Sequence, residues 1–317
     1  SLHGDSSLQR RPMGPLLDAL NALGAGAKSL GGNGRPPIEI RGILRGGTTT
    51  LPGDVSSQFL SSLLMACPLA DQPSDIRVLP PVRSRPYGDM TRRIMHRFGV
   101  DVAVDHDVYR ISGGQAYRGA EVDVPGDFSS AAFPLVAAAI TDGDVTVTGL
   151  DPDGPPGDRI IVDLLRAFGA QVDVSGDRVR VRGGRLRAQT VDVGGTPDLF
   201  PILAVLASQA DGETRFVNGG HLRFKESDRI ASTVSMLRAL GIRAKETEDG
   251  CVVSGMSRVF GGSVDAHGDH RILMAAAVAG LVAYGSVDIS DPWCFRVSYP
   301  SFLDDFRALG ALHAVVV

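Results

Sequence analysis

Gly126-Asp127-Phe128-Ser129-Ser130 repeats, 73 residues on, the stretch Gly53-Asp54-Val55-Ser56-Ser57. Related turns follow at Gly195-Thr196-Pro197-Asp198 and Gly268-Asp269-His270-Arg271, so four copies begin at intervals of 73, 69 and 73 residues. Each opens a run of small apolar residues. An Asp or Ser side chain can satisfy the free N–H groups of a first helical turn, so the two Gly-Asp-x-Ser-Ser copies read as helix N-termini. At the third copy the expectation is a Thr196 cap, Pro197 at the first helical position and Asp198 in the first turn. Self-similarity at a fixed period marks one supersecondary unit used repeatedly.

A second helix type alternates with the first. It is amphipathic and closes on glycine at Gly24, Gly99, Gly169, Gly241 and Gly310, spaced by 75, 70, 72 and 69 residues. Glycine after the last apolar turn is a helix stop. Ile160-Ile161-Val162-Asp163-Leu164-Leu165-Arg166-Ala167-Phe168-Gly169 is one example. Between helices lie short alternating stretches: 172–174 and 178–181 read as a hairpin around Ser175-Gly176-Asp177, and 144–149 as a strand. Each unit then holds two helices and about four short strands, and must cover its faces with neighbours. Four helices of the first type meet five of the second. In a closed architecture the unmatched one, residues 11–24, implies a missing piece upstream. The chain opens Ser1-Leu2-His3-Gly4-Asp5, which resembles neither a signal peptide nor a natural start.

Composition narrows the function. The 317 residues suffice for two domains. The chain is 43% hydrophobic but only 6% aromatic, so its cores rest on Ala, Val, Leu and Ile. A net charge of −4 gives no global field toward nucleic acid or a membrane surface, and no apolar run of about 18 residues predicts a membrane span. The lysines are Lys28, Lys225 and Lys245, and every other basic residue apart from the histidines is arginine. A GC-rich genome is the first explanation, and a need for planar forks on phosphate and carboxylate the second. Cys67, Cys251 and Cys294 make no disulfide framework or zinc spacing, so a reducing cytoplasm is the simplest setting.

The whole pattern resembles the enolpyruvyl transferases, in which six βαβαββ units form two three-unit domains joined by a hinge. Six such units need roughly 420 residues at usual domain sizes, and this chain supplies about four and a half. The local motifs resemble the 5-enolpyruvylshikimate-3-phosphate synthase branch. They are Gly4-Asp5 with Arg10-Arg11-Pro12-Met13, Ser56-Ser57-Gln58-Phe59, Ser84-Arg85-Pro86-Tyr87, Pro197-Asp198, Lys225-Glu226-Ser227-Asp228-Arg229 and Gly268-Asp269-His270-Arg271. Their order and separations make the resemblance specific. The sister branch, acting on UDP-N-acetylglucosamine, usually carries a Cys before its Arg-Pro. Residues 5–12 here contain none.

The resemblance implies an α/β fold with an incomplete first domain at 1–125 and a three-unit second domain at 126–317. It implies transfer of the enolpyruvyl group of phosphoenolpyruvate to the 5-hydroxyl of shikimate 3-phosphate in aromatic amino-acid biosynthesis, in a cleft between domains that closes to expel water. No metal or organic cofactor is implied. The complete enzyme is expected to be a cytoplasmic monomer, and this chain taken alone to be inactive.

Residue by residue, the resemblance makes Asp198 the general base near the 5-hydroxyl and Glu226 a proton-transfer residue. Lys225 contacts shikimate 3-phosphate, and Arg229 and Arg271 clamp the phosphoenolpyruvate carboxylate with His270 beside them. Ser56 and Ser57 seat the shikimate phosphate, Gln58 lies between the substrates, Ser84 and Tyr87 are further contacts, and Arg11 takes the phosphoenolpyruvate phosphate. Arg10 is a surface charge. Each residue also has a plainer reading. Lys225 and Arg229, four apart, share a face if helical, beside a solvated helix start with Glu226 and Asp228 in it. Arg271 can be a partly exposed arginine on a capped helix, and Ser56 and Ser57 ordinary caps, as Ser129 and Ser130 can be.

Two positions depart from the family pattern. His221 stands where an Asn is frequent and can still donate to the shikimate ring. Val297 stands where some members have Lys, with Arg296 adjacent. The family's N-terminal Lys-Ser-Arg segment and its Asn-x-Gly-Thr-x-x-Arg loop are not found. The rival readings are the UDP-sugar transferase and a non-catalytic, repeat-built binding domain or fragment.

Overall fold

A computed structural model describes residues 1–83, 85–154 and 157–311. Within them the two helix types alternate as expected: α1 (Gly14–Ala22), α2 (Ser57–Ala66), α3 (Arg85–Arg97), α4 (Phe128–Ile140), α5 (Ile161–Phe168), α6 (Phe200–Ser208), α7 (Arg229–Ala239), α8 (His270–Gly280) and α9 (Phe302–Ala308). The odd-numbered helices end on the five repeat glycines, which all adopt left-handed backbone, with φ of 95° at Gly24, 79° at Gly99, 104° at Gly169, 79° at Gly241 and 77° at Gly310. L side chains resist that region, which is why the period appears as glycine. Three of the four even-numbered helices, α2, α4 and α8, start on side-chain caps. Ser56 accepts from Gln58 N, Asp127 from Ser129 N and Ser130 N, and Asp269 from Arg271 N.

The chain divides into two compact units, Ser1–Asp123 and Val124–Val317. In the first, Gly47–Pro52 pairs parallel with Ser74–Leu79, which pairs antiparallel with Val108–Ile111, the partner of Val102–Asp105. α2 is the crossover of the parallel pair, and α3 leads into the hairpin. Phe59, Leu60, Leu63 and Leu64 of α2 join Leu51, Ile76, Val78 and Tyr109 in this unit's main core. A separate hairpin, Gly26–Ser29 with Ile38–Arg41, follows α1.

The second unit repeats the same strand order. Thr190–Asp192 pairs parallel with Glu213–Val217, then come Gly250–Ser254 and the edge strand Ala244–Thr247. These are the full βαβαββ sets. Elsewhere in this unit the described residues carry fewer than the expected four strands. Asp144–Val147, Arg178–Arg182 and Gln171–Ser175 make a three-stranded antiparallel sheet, and Gly262–Val264 pairs parallel with Val287–Ile289. Residues 115–127, ahead of α4, form no ladder and are largely exposed, with Val124 at 89%.

The core of the second unit explains its alanine-rich sequence. α4, α6 and α8 pack on one another pairwise. α6 buries all nine of its residues, and α4 and α8 are buried on nearly every side. A helix apolar all round has no solvent face, and small residues such as Ala132, Ala204, Ala207, Ala275 and Ala276 let three such helices approach closely. The starts of α4 and α8 and the turn before α6 carry five of the twelve buried polar or charged residues described in this unit: Ser129, Asp269, His270, Arg271 and Thr196.

Candidate active site

Arg229 is the largest fully buried side chain in the second unit. It opens α7, which Asp228 caps by accepting from Ala231 N at 3.1 Å. Arg223 fixes that cap by donating to Asp228 Oδ2 at 2.9 Å and to Glu246 Oε1 at 2.8 Å. A buried guanidinium persists only when its N–H fork is satisfied. Here Nε donates to Asp269 Oδ2 at 3.0 Å, Nη1 to Asp198 Oδ1 at 2.8 Å and Nη2 to Glu226 Oε2 at 2.5 Å. Longer contacts run from Nη2 to Asp269 Oδ1 at 3.4 Å and from Nη1 to Pro197 O at 3.5 Å. Asp269, itself 0% exposed, also accepts from Ser227 Oγ at 3.1 Å.

Asp198 joins this arginine to a second one. Its Oδ2 accepts from Arg271 Nη2 at 3.0 Å, and its side chain keeps 24% of its exposure. Burial alone would raise the Asp198 carboxyl, but Arg271, Arg229 and Lys225 outweigh it and hold the group at about 2. Asp269 is likewise lowered, with burial opposed by the Arg229 charge and hydrogen bond. Arg271 is 8% exposed, and its Nε is buried with no hydrogen-bond partner among the described residues. Beside it His270 is buried, and burial followed by the Arg271 charge lowers its pKa, favouring the neutral imidazole. Three cations (Lys225, Arg229, Arg271) thus meet three carboxylates (Asp198, Glu226, Asp269) at one end of the buried helices. Such a cluster can receive anions by exchanging carboxylate partners.

The first unit carries a separate group. Ser56 caps α2, Ser57 is its first residue and Gln58 is exposed on its first turn. Arg83 N donates to Gly53 O at 2.8 Å, tying the lead-ins of α2 and α3 together. Tyr87, half-buried in the first turn of α3, has its carbonyl bonded by Thr91 Oγ1, which pairs with Ser61 Oγ on α2. Arg11, half-buried, stands at the entry to α1, while Arg10 is exposed. Ser84 lies outside the described residues.

A family model for EPSP synthase (3-phosphoshikimate 1-carboxyvinyltransferase) matches residues 1–306. Curated relatives named 3-phosphoshikimate 1-carboxyvinyltransferase include that of Methanocorpusculum labreanum, 49% identical over 308 residues, and that of Methanothrix thermoacetophila, 48% identical over 312. They align over 97% and 98% of this chain and 72% and 73% of their own lengths. The solved EPSP synthase from Acinetobacter baumannii superposes with a TM-score of 0.79 at 30% identity, covering 98% of this chain and 73% of its own.

The chain belongs to the EPSP synthase family.

Its fold is the enolpyruvyl transferase fold of that family. Within it, the structure brings together six of the residues singled out in sequence: Asp198, Lys225, Glu226, Arg229, His270 and Arg271. Buried His221 sits on the turn Gly220–Phe224 that leads to them. The plainer readings of these residues are corrected at three points. Lys225 and Arg229 do not share a helix face, because Lys225 is extended and α7 begins only at Arg229. Asp198 is not in a first helical turn: residues 197–199 form a turn, α6 starts at Phe200, and Thr196 Oγ1 caps nothing. Arg229 and Arg271 are buried rather than solvated. As for Arg296, its guanidinium lies over the Trp293 ring at 4.1 Å, and Val297 is exposed.

Sequence reasoning passes over two buried carboxylates. Asp269 was read only as part of a helix-start motif, though the arginine pairing makes it the most buried acid of the cluster. Asp158 had no reading at all. The available signal was Gly157-Asp158 ahead of an apolar run, a Gly-Asp pair like those of the other helix starts.

Proposed function

We propose that this protein transfers the enolpyruvyl group of phosphoenolpyruvate to the 5-hydroxyl of shikimate 3-phosphate, with release of phosphate, on the route to the aromatic amino acids. The observation that carries the reading is Asp198 held between two buried arginines, in a chain that matches the EPSP synthase family over residues 1–306. A carboxylate held at about 2 is a poor base at neutral pH. An incoming carboxylate that takes over Arg271, whose Nε has no partner among the described residues, and shares Arg229 relieves Asp198 of that stabilisation. Its pKa then rises toward the range where it accepts the proton of the 5-hydroxyl. Binding of one substrate thereby activates the base for the other.

The remaining assignments follow the same logic of charge. Glu226 exchanges the proton at the methylene carbon, which becomes a methyl group in the tetrahedral adduct and returns to methylene as phosphate departs. Lys225 and His221 face shikimate 3-phosphate, and His270, neutral, donates near phosphoenolpyruvate. In the first unit, Ser56 and Ser57 offer hydroxyls and free N–H groups at a helix N-terminus to the shikimate phosphate. Gln58, Tyr87 and Ser84 are further contacts there, and Arg11 meets the phosphoenolpyruvate phosphate.

A coupled phosphate-release assay tests the reading with two acceptors. With the complete gene product, phosphate should appear with shikimate 3-phosphate and not with UDP-N-acetylglucosamine. The reverse preference, or no turnover with either together with no binding of phosphoenolpyruvate, would overturn it.

A further inference from the structure

Asp158 lies in the second unit on the 3-10 turn Asp158–Ile160, just before α5, and is 8% exposed. Ser129 Oγ, in the first turn of α4, donates to its Oδ2. Its Oδ1 is buried with no partner among the described residues. The charged groups that face it are Asp198 from the turn ahead of α6, Arg271 from α8 and Asp127 from the cap of α4. On its own turn Arg159 points elsewhere, donating to Pro152 O at 2.5 Å, and on α5 Asp163 and Arg166 are exposed and meet each other at 3.4 Å. Asp198 therefore has two arginines in direct contact, whereas Asp158 has a single hydroxyl. Two neighbouring carboxylates in a poorly hydrated site do not both ionise readily, and the proton stays on the less supported one.

We propose that Asp158 is a positioning residue for the transfer: a neutral carboxyl, clasped by Ser129, that adds no second anion to the surroundings of Asp198 and Arg271, so that Arg271 can exchange Asp198 for the substrate's carboxylate. The inference rests on the functional reading above. Burial, with the Asp198 charge adding to it, pushes the Asp158 carboxyl up to about 7. Above that pH it ionises, a second anion stands beside Arg271, and the pull of that arginine on an incoming carboxylate weakens. Asparagine at 158 is neutral at every pH and still accepts from Ser129. Alanine at 129 withdraws a donor that favours the ionised form, so it moves the transition to higher pH.

The test is the pH profile of KM for phosphoenolpyruvate in wild type, Asp158→Asn and Ser129→Ala, from about pH 6 to about pH 8.5. Substrate phosphates titrate identically in all three proteins, so the ratio of profiles isolates Asp158. KM of the wild type should climb relative to Asp158→Asn above about pH 7, reaching roughly tenfold, the effect of one pKa unit of coupling. Ser129→Ala should show the same climb displaced upward in pH. A merely structural role would lower kcat uniformly instead. Parallel KM profiles for wild type and Asp158→Asn overturn the inference while leaving the functional reading intact. A complete wild-type gene product that releases no phosphate overturns the reading itself. Should Asp158→Asn melt far below wild type, Ser129→Ala decides, and an undisplaced profile there overturns the proposal.

Discussion

Removing Arg229 should unfold the second unit more readily than any other single polar substitution in it. In Arg229→Met the three carboxylates do not suffer equally. Glu226 is half-exposed and can turn to water, and Asp198 keeps Arg271 at 3.0 Å. Asp269 cannot escape. It is fully buried and loses contacts at 3.0 and 3.4 Å, keeping only Ser227 Oγ and Arg271 N. Breaking a buried pair from one side costs about 3–5 kcal/mol, most of it the charge left behind. Arg229→Lys keeps a cation but not the fork, so it should cost less, about 1–3 kcal/mol. If the stranded charge is the cause, adding Asp269→Asn to Arg229→Met should restore about 1–3 kcal/mol. The chain's one tryptophan, Trp293, lies in this unit, so urea unfolding followed by its fluorescence reads the right part of the molecule. Stability of Arg229→Met within about 1 kcal/mol of wild type would refute the argument, as would a double variant no better than the single one.

Turnover, acid–base behaviour and backbone geometry give three further expectations. Asp198→Asn and Glu226→Gln should each lower kcat by roughly 10²-fold or more with a smaller change in KM, and near-normal turnover in both would remove them from the proton transfers. Asp158, raised from 3.8 to about 7 in the folded state, favours folding fully below pH 3.8 and loses that contribution as pH rises through about 7. Denaturant unfolding of wild type relative to Asp158→Asn should therefore weaken from about pH 4 to about pH 7, by at most about 4 kcal/mol, and a flat difference would contradict the buried proton. Asp198 has the opposite sign: held at about 2, it stabilises above pH 3.8 and loses that contribution as pH falls through about 2. Gly169→Ala should cost about 1–3 kcal/mol, because φ is 104° and a Cβ would stand 2.4 Å from Arg185 O. Gly310→Ala, with φ of 77° and no described atom within 4 Å of a new Cβ, should cost less, and equal thermal shifts in the two would contradict the steric argument.

The repeat was legible because two backbone requirements recur: left-handed stops at Gly24, Gly99, Gly169, Gly241 and Gly310, and side-chain caps at Ser56, Asp127 and Asp269. Local chemistry fixes these within a few residues. Local reasoning failed where tertiary contacts decide. Lys225 and Arg229 have helical spacing, yet the Asp228 cap sets the helix start between them. Pro197 looks like a first helical residue, yet the chain holds a turn there and lets Asp198 reach both Arg229 and Arg271. Burial of arginine is also invisible locally, since the carboxylates that compensate Arg229 lie as many as 40 residues away. Asp158 escaped for the same reason: its surroundings come from α4, α8 and the turn before α6.

The buried helix trio has a consequence for synthesis of the chain. α4 has almost no solvent face, and it is covered by α6 and α8 together with α5 and the strands Asp144–Val147 and Arg178–Arg182. Between Ile140 and His270 the ribosome must add roughly 130 residues, which at typical elongation rates takes on the order of ten seconds. Within that interval the strands Asp144–Val147 and Arg178–Arg182, then α5 and α6, become available to a segment rich in Phe, Leu, Val and Ala, but the side that packs on α8 stays uncovered to the end. Hydrophobic collapse takes microseconds, so the α8-facing side of α4 must be sheltered by chaperones or held in transient non-native contacts until α8 emerges. Slow codons placed between these helices should lengthen the exposure and lower the soluble yield, whereas slow codons after α8 should not.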